Sequence, residues 1–393
     1  MKSILFLIAF LISSLQAKHL QVDVSAKSAV LMNGETGAVL YEKNPHAPSY
    51  PASITKVATA LYAMEVKHAD LSRVVKVSAE SVRMKTAQRD PSKTPAYWLE
   101  SDGTRLGLLR GEEISLESLL HALMLQSAND AANVIAESMS GSIPSFVSEL
   151  NEYLKSIGCL NTHFCNPHGL HHPEHQTSAY DMCLIAKNAM HIPKFREIVA
   201  KLSYVKPKTN LHPEEKLRQF NHLLRQGRFF YPKAIGIKTG YTSHAQNTLV
   251  AAALDGDRTL IAVVMGCENR ENRYVDVKKL FEAAFHEQKI HQTMFKADSS
   301  YSRAVAGATS PLTAALEHEL AIDYYPAEEP DHPKAEIRWT IPALPIHAGQ
   351  KVGELRLIDA HGTLLNSTAL LAREEVQGSW TFMIKDWWSR LFR

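Results

Sequence analysis

The chain has 393 residues, enough for two domains with appendages, and its 45% apolar and 21% charged fractions are those of an ordinary globular protein. Its 43 basic and 41 acidic side chains nearly cancel. That balance excludes a nucleic-acid partner held by bulk charge.

Lys2 precedes the apolar run Ile4 to Ile12, and a short polar stretch ends at Ala17. A charged start, an apolar centre and a small residue predict a secretory signal peptide over residues 1–17. Leu15, three residues before the cut, matches less well than alanine, and no cysteine is present there to carry a lipid. The run is too short to span a bilayer. The competing reading is an uncleaved anchor or a buried strand.

From Val24 to about Gln288 strand and helix patterns mix. Ala29 to Tyr41 reads as a hairpin turning at Asn33-Gly34-Glu35-Thr36-Gly37. After Ser53 comes a helix, with Ile54, Val57, Ala58 and Leu61 on one face. Arg83 to Gly103 is polar and irregular, as in a surface loop. A second helix starts near Leu116, with Ser115 as its N-cap and Leu119, Leu120, Leu123 and Met124 on its apolar face. Cys159, Cys165, Cys183 and Cys267 match no zinc spacing. In an oxidising compartment Cys159 and Cys165 could close a small loop, though unpaired buried thiols are slightly preferred. Three strands follow, Ala234 to Thr242, Asn247 to Leu254 and Thr259 to Cys267, the last two joined at Asp255-Gly256-Asp257. A helix from Val275 to Ala284 ends this part. Strands at both ends with helices between predict an α+β domain: one antiparallel sheet covered by helices, over residues 18–292.

Beyond Lys296 the alternation of Ala335, Ile337, Trp339 and Ile341, repeated in Val352 to Ile358, predicts a small all-β domain over 293–376, with one short helix near Leu312. The tail, 377–393, changes again. On a helical wheel Trp380, Met383, Ile384, Trp387, Trp388, Leu391 and Phe392 share one arc, and Lys385, Asp386, Ser389, Arg390 and Arg393 lie opposite. Aromatics on one face and basic groups on the other predict an amphipathic helix lying in a membrane interface. The alternative is a terminal helix docked on the protein's own core.

Three short motifs carry the chemistry: Ser53-Ile54-Thr55-Lys56, Ser127-Ala128-Asn129 and Lys238-Thr239-Gly240. Singly each is a chance string; in this order they match the set of the penicillin-interacting serine enzymes. A serine hydroxyl is a poor nucleophile until a base takes its proton. Ser53 and Lys56 sit i, i+3 on a helix and share a face. A buried amine beside other positive charge can be neutral and accept that proton. The N–H of Ser53, in a first helical turn, lacks a helical partner and can face an oxyanion, with Tyr241 as source of the second donor. Ser127 can relay a proton between Lys56 and the leaving amine, and Asn129 can hold a substrate amide. Lys238 and Thr239 can receive a substrate carboxylate. Gly240 leaves room for a peptide beside the strand.

These residues resemble the low-molecular-weight penicillin-binding proteins, and more narrowly the exported D-alanyl-D-alanine carboxypeptidases of the peptidase S11 family. The resemblance rests on Pro51 to Lys56, Ser127 to Ala131, His168-Gly169-Leu170 and Gly236 to Thr242, and runs through the β-rich segment Pro345 to Gly353 and the tail. It implies a serine β-lactamase/DD-peptidase-like fold with Ser53 as nucleophile and Lys56 as base. Ser127, Asn129, Lys238 and Thr239 complete the cleft, and Arg273 helps to bind a terminal carboxylate. It implies a peptidoglycan stem pentapeptide as substrate, β-lactams as covalent inhibitors and no cofactor. The location implied is the periplasmic face of the cytoplasmic membrane. The basic segment Lys201 to Gln226 has no assigned counterpart.

Other readings compete: a DD-endopeptidase, a β-lactamase, a zinc peptidase and a non-catalytic wall-binding protein. A class A β-lactamase needs a glutamate in an E-x-x-L-N setting. No such string lies between the second and third motifs, and Glu174 precedes His175-Gln176-Thr177. For zinc, His168, His171, His172, Glu174 and His175 cluster between Pro167 and Pro173 and just beyond, but without H-E-x-x-H or helical spacing.

Overall fold

The computed structural model describes residues 19–85, 94–360 and 362–380. The proposed signal peptide and most of the amphipathic tail lie outside them. The chain separates into two compact units between His286 and Glu287.

The first unit runs β1 (Ser28–Asn33), β2 (Val39–Lys43), α1 (Thr55–Leu61), β3 (Val74–Lys76), β4 (Glu113–Ser115), α2 (Leu116–His121), α3 (Asn129–Ser140), α4 (Ile143–Ser156), α5 (Ala179–His191), α6 (Pro193–Ala200), β5 (Ser203–Lys206), β6 (Glu215–Arg218), β7 (Ala234–Thr242), β8 (Gln246–Asp255), β9 (Arg258–Cys267) and α7 (Asn272–Phe285). Its main sheet is antiparallel, in the order β2-β1-β9-β8-β7. Both ends of this segment therefore meet in one sheet, as the strand pattern predicts.

The sheet is buried on both faces, which explains the near-continuous apolar runs of β8 and β9. Val30, Met32, Val250, Ala252, Ile261, Val263 and Met265 turn into a large core with α1 to α6. The alternate residues of β8 and β9 face α7, whose Val277, Leu280 and Phe281 are fully buried. Each Leu or Ile in such a core stabilises the fold by about 2–5 kcal/mol relative to alanine.

Two local devices position the chemistry. Ser115 caps α2, accepting a 3.2 Å hydrogen bond from Ser118 N–H. A π-helical turn, Ala122–Gln126, then ends at Ser127 in the left-handed conformation, φ 66°. The chain reverses there and α3 begins at Asn129. The basic segment after α6 folds as the β5–β6 hairpin, and Leu217 and Gln219 are buried against the first unit.

The second unit is all-β: β10 (Ile290–Phe295), β11 (Ser300–Arg303), β12 (Leu312–Leu316), β13 (Leu320–Tyr324), β14 (Lys334–Trp339), β15 (Lys351–Ile358) and β16 (Leu364–Ala372). A five-stranded sheet orders β11-β12-β16-β15-β14, and β10 pairs with β13. The short helix expected near Leu312 is instead strand β12. Leu312, Ala314 and Leu316 alternate inward at period two while Thr313 and Ala315 are only half-buried, and tertiary pairing with β16 decides the conformation.

Candidate active site

Ser53 lies in a short 3-10 turn, Ala52–Ile54, that leads directly into α1. The turn is held from three sides. Thr248 Oγ1 donates to Pro51 O at 2.9 Å, tying it to β8. Thr55 Oγ1 donates to Ala52 O at 2.9 Å, and Thr55 in turn contacts His175 Nε2 at 2.9 Å. His175 Nδ1 accepts from Cys165 N–H at 3.0 Å, so the neutral ring carries its proton on Nε2 and donates to Thr55. Burial and neighbouring histidines lower His175 to about 3, which keeps it neutral. On the third side Gly169, at φ +90°, packs so closely that a Cβ there would stand 1.9 Å from Ala52 O. Only glycine fits both that angle and that gap.

Lys56 follows one turn after Ser53 and is fully buried. Its Nζ lies 3.1 Å from Ser53 Oγ, 2.7 Å from Asn129 Oδ1 and 2.5 Å from His168 O. Burial, then the charge of Lys238, push its ammonium well below the ordinary lysine value, while Asp130 opposes the shift. The shift favours the neutral amine, whose lone pair can take the serine proton.

His168 O is fixed by its own loop. Asn166 Oδ1 accepts from His168 N–H and Gly169 N–H at 3.3 and 2.7 Å, and Asn166 Nδ2 donates to Leu170 O at 2.9 Å. The ring of His168 accepts at Nδ1 from Leu170 N–H and reaches Tyr97 O through Nε2. Both ring nitrogens are thus occupied, as they are in His175. Of the histidines that suggested zinc catalysis in the sequence, His168 and His175 are hydrogen-bonded parts of the scaffold around Lys56.

Asn129 opens α3 with its side chain on Lys56, and its neighbour Asp130 fastens the incoming loop. The buried Asp130 carboxylate accepts from Leu106, Gly107 and Leu108 N–H at 2.9, 2.8 and 3.0 Å. Ser127 is buried at the same corner. The hydrogen-bonding partners of Lys56 Nζ among the described residues are Ser53, Asn129 and His168, and Ser127 Oγ is not one of them.

Strand β7 forms the opposite wall. A Cβ on Gly240 would fall 2.4 Å from Thr248 Oγ1, 3.0 Å from Pro51 O and 3.1 Å from Ser53 N, so the strand lies directly against the serine turn. The Tyr241 side chain points outward and is 64% exposed, leaving the backbone to line the wall. Lys238 is buried and donates to Thr239 O at 2.8 Å. Burial and the Arg273 charge lower it to about 7. Arg273, from the first turn of α7, donates to Gly240 O at 3.0 Å and to Tyr274 Oη at 3.2 Å, and its buried Nε has no partner among the described residues.

The structure thus gathers Ser53, Lys56, Ser127, Asn129, Lys238, Thr239, Gly240 and Arg273 around one corner of the first unit. Sequence reasoning assigned no role to Thr55, Asp130, Asn166, Thr248 or the carbonyl of His168. For Thr55, Asp130 and Thr248 the decisive partners lie far away in the chain, and Asn166 works within its own loop.

Residues 14–269 match the family model for D-alanyl-D-alanine carboxypeptidases. The chain is 31% identical over 373 residues to D-alanyl-D-alanine carboxypeptidase DacF of Bacillus subtilis, covering 92% of this chain and 90% of that protein. It superposes on penicillin binding protein 5 from Haemophilus influenzae with a TM-score of 0.62 at 26% identity, covering 91% of this chain and 99% of the other. A variant of the Streptomyces K15 DD-transpeptidase aligns at TM-score 0.59 and 26% identity, covering 67% of this chain and 99% of that one. The chain belongs to the D-alanyl-D-alanine carboxypeptidase family, peptidase S11, among the low-molecular-weight penicillin-binding proteins.

Proposed function

We propose that this chain is a serine D-alanyl-D-alanine carboxypeptidase, which removes the terminal D-alanine from peptidoglycan stem pentapeptides and is acylated by β-lactams. The observation that carries the reading is the contact of Lys56 Nζ with Ser53 Oγ at 3.1 Å, made by an amine that burial and Lys238 drive toward its neutral form.

Lys56 takes the hydroxyl proton as Ser53 Oγ bonds to the carbonyl carbon between the two D-alanines. The oxyanion that forms is met by the N–H groups of Ser53 and Tyr241; one such donor is worth about 100- to 1000-fold in rate. As the intermediate collapses the C–N bond breaks. The leaving amine receives a proton through Ser127, which must turn toward Lys56 to relay it. Water then attacks the ester, Lys56 again accepting its proton, and the shortened stem leaves. Asn129 holds the substrate amide. Lys238 and Thr239 take the terminal carboxylate, and Arg273 acts from behind by bracing Gly240 O.

The peptide enters as an extended strand beside β7, which Gly240 keeps clear. Glu174, followed by His175-Gln176-Thr177, is exposed and lacks the E-x-x-L-N setting of a deacylating glutamate, so hydrolysis of a penicilloyl ester is expected to be slow. The enzyme is exported and works at the outer side of the cytoplasmic membrane, held there by the tail from residue 377. No described helix is long and apolar enough to cross a membrane. The β-rich unit sets the distance between cleft and membrane.

The test is mass spectrometry of products. A pentapeptide should lose one D-alanine, and fluorescent penicillin should label the wild type but not Ser53→Ala. Absence of label on the wild type would remove the serine mechanism. Release of monomers from a cross-linked dimer, with the pentapeptide untouched, would reassign the enzyme as an endopeptidase.

A further inference from the structure

With His168 and His175 committed to the scaffold, three ligand-type side chains of the same loop have no part in the serine chemistry. Cys165 Sγ, a nitrogen of His172 and a carboxylate oxygen of Glu174 all lie within 4.8 Å of one another, on the partly exposed side of the loop. We propose that Cys165, His172 and Glu174 form a binding site for a thiophilic divalent cation of the Zn2+ class, distinct from the Ser53 site.

The donor set is chemically selective. A thiolate and an imidazole favour zinc-class cations over magnesium or calcium, which prefer oxygen alone. One thiolate and one carboxylate balance the charge of a divalent ion, and a neutral imidazole adds nothing to it. Zinc holds sulfur at about 2.3 Å and nitrogen or oxygen at about 2.0–2.2 Å, so tetrahedral ligand atoms stand roughly 3.3–3.7 Å apart. Closing from 4.8 Å to that spacing requires each pair of ligand atoms to approach by up to roughly 1.5 Å, which rotamer adjustments of side chains at a surface can make. Three protein ligands leave the fourth position to water.

The loop is shaped before any ion arrives. His163 and Gln176 exchange two backbone hydrogen bonds, each 2.9 Å, which close the loop behind Cys165 and Glu174. His175 N–H donates to His172 O at 2.9 Å, which fixes the backbone under that ring; Glu174 N–H donates to His172 Nδ1 at 3.2 Å, a bond that opens when a ring nitrogen takes the cation. Cys165 N–H is fixed on His175 Nδ1. Such hydrogen bonds around a ligand set reduce the ordering that binding requires. Of the four cysteines only Cys165 is partly exposed; Cys159, Cys183 and Cys267 are buried. The same loop delivers His168 O to Lys56, so an ion here clamps a segment that supports the general base without entering the reaction.

Cobalt(II) titration of the full chain is the test, because a cobalt–thiolate bond gives a near-ultraviolet charge-transfer band. One equivalent should produce that band, and zinc should displace it. Cys165→Ser should lose the band, while His172→Ala and Glu174→Gln should each weaken binding at least about tenfold, the lower end of what even outer-shell changes cost. Thermal melting without metal checks that each variant is folded. A second readout needs no cysteine variant: zinc should slow iodoacetamide modification of Cys165 in the wild type and not in the His172→Ala, Glu174→Gln double variant. A wild type without the band, or a band that persists in Cys165→Ser, overturns the proposal.

Discussion

Lys56 and Lys238 are both buried in one corner, and they cannot both carry their charge without a large cost. The lowering of Lys238 to about 7 and the lowering of Lys56 express that cost. The sign for stability follows. A lysine lowered in the fold binds fewer protons than in the unfolded chain between about pH 7 and its ordinary value, so stability rises with pH across that window and is lowest beneath it. Lys238→Met removes the buried charge. It should raise stability at pH 6 by roughly 1 kcal/mol or more, about 2–4 °C in melting temperature, with the gain shrinking as pH rises. The same change removes the positive neighbour of Lys56, so the acidic limb of the penicillin-acylation rate should move to higher pH. An unmoved limb in stopped-flow measurements would sink the assignment of Lys56 as the base. This residue-level chemistry was legible early because S-x-x-K is local: a helix alone places the two side chains together. The scaffold behind it was not. Thr55 meets His175 across 120 residues, and Thr248 meets Pro51 across 197; no periodicity in a single sequence encodes such pairs.

At the level of elements, the site is a joint between the serine turn, strand β7, the loop ending at Leu170 and the N-terminus of α3. Glycine makes two of the contacts possible. Gly240→Ala would place a methyl 2.4 Å from Thr248 Oγ1 and 3.1 Å from Ser53 N, forcing the strand off the turn. A displacement of about 1 Å at a reacting group costs on the order of 100-fold. Acylation by penicillin should therefore fall by about that factor while the far-ultraviolet circular dichroism stays native. An acylation rate within threefold of wild type would show that β7 does not set the geometry. Asp130 makes the third contact. Asp130→Ala would orphan the N–H groups of Leu106, Gly107 and Leu108. At about 1–3 kcal/mol for each buried donor left unpaired, the loss should be roughly 3 kcal/mol or more by urea unfolding. A loss below 1 kcal/mol would mean that water replaces the carboxylate. Of the elements at this joint, the serine helix and β7 were readable from their apolar periods, while α3, whose N-terminus carries Asn129, was not assigned. In the second unit β12 shows another limit: Leu312 to Leu316 fits either period over so few residues, and its neighbour β16 settles it.

For the whole molecule, the division at His286 separates catalysis from whatever the β-rich unit does. Every residue of the proposed mechanism lies before that point, and the core formed with the helices draws on no residue beyond it. A chain of residues 19–286 should therefore fold cooperatively. Its second-order rate of penicillin acylation and its release of D-alanine from a soluble pentapeptide should stay within about threefold of the full chain, because no first-unit contact of Ser53 or Lys56 is lost. If the tail and the β-rich unit hold the cleft at the membrane, as proposed, its action on intact, membrane-apposed wall should drop by at least tenfold. Restoring the tail after residue 376 without the β-rich unit should bring back binding to anionic vesicles but not the rate on wall, if the unit is a spacer. If the tail alone restores both, the spacer role is lost and membrane attachment is the whole requirement. If soluble activity also disappears in the short chain while its circular dichroism remains native, the β-rich unit must act on the cleft itself, and the division of labour between the two units is wrong.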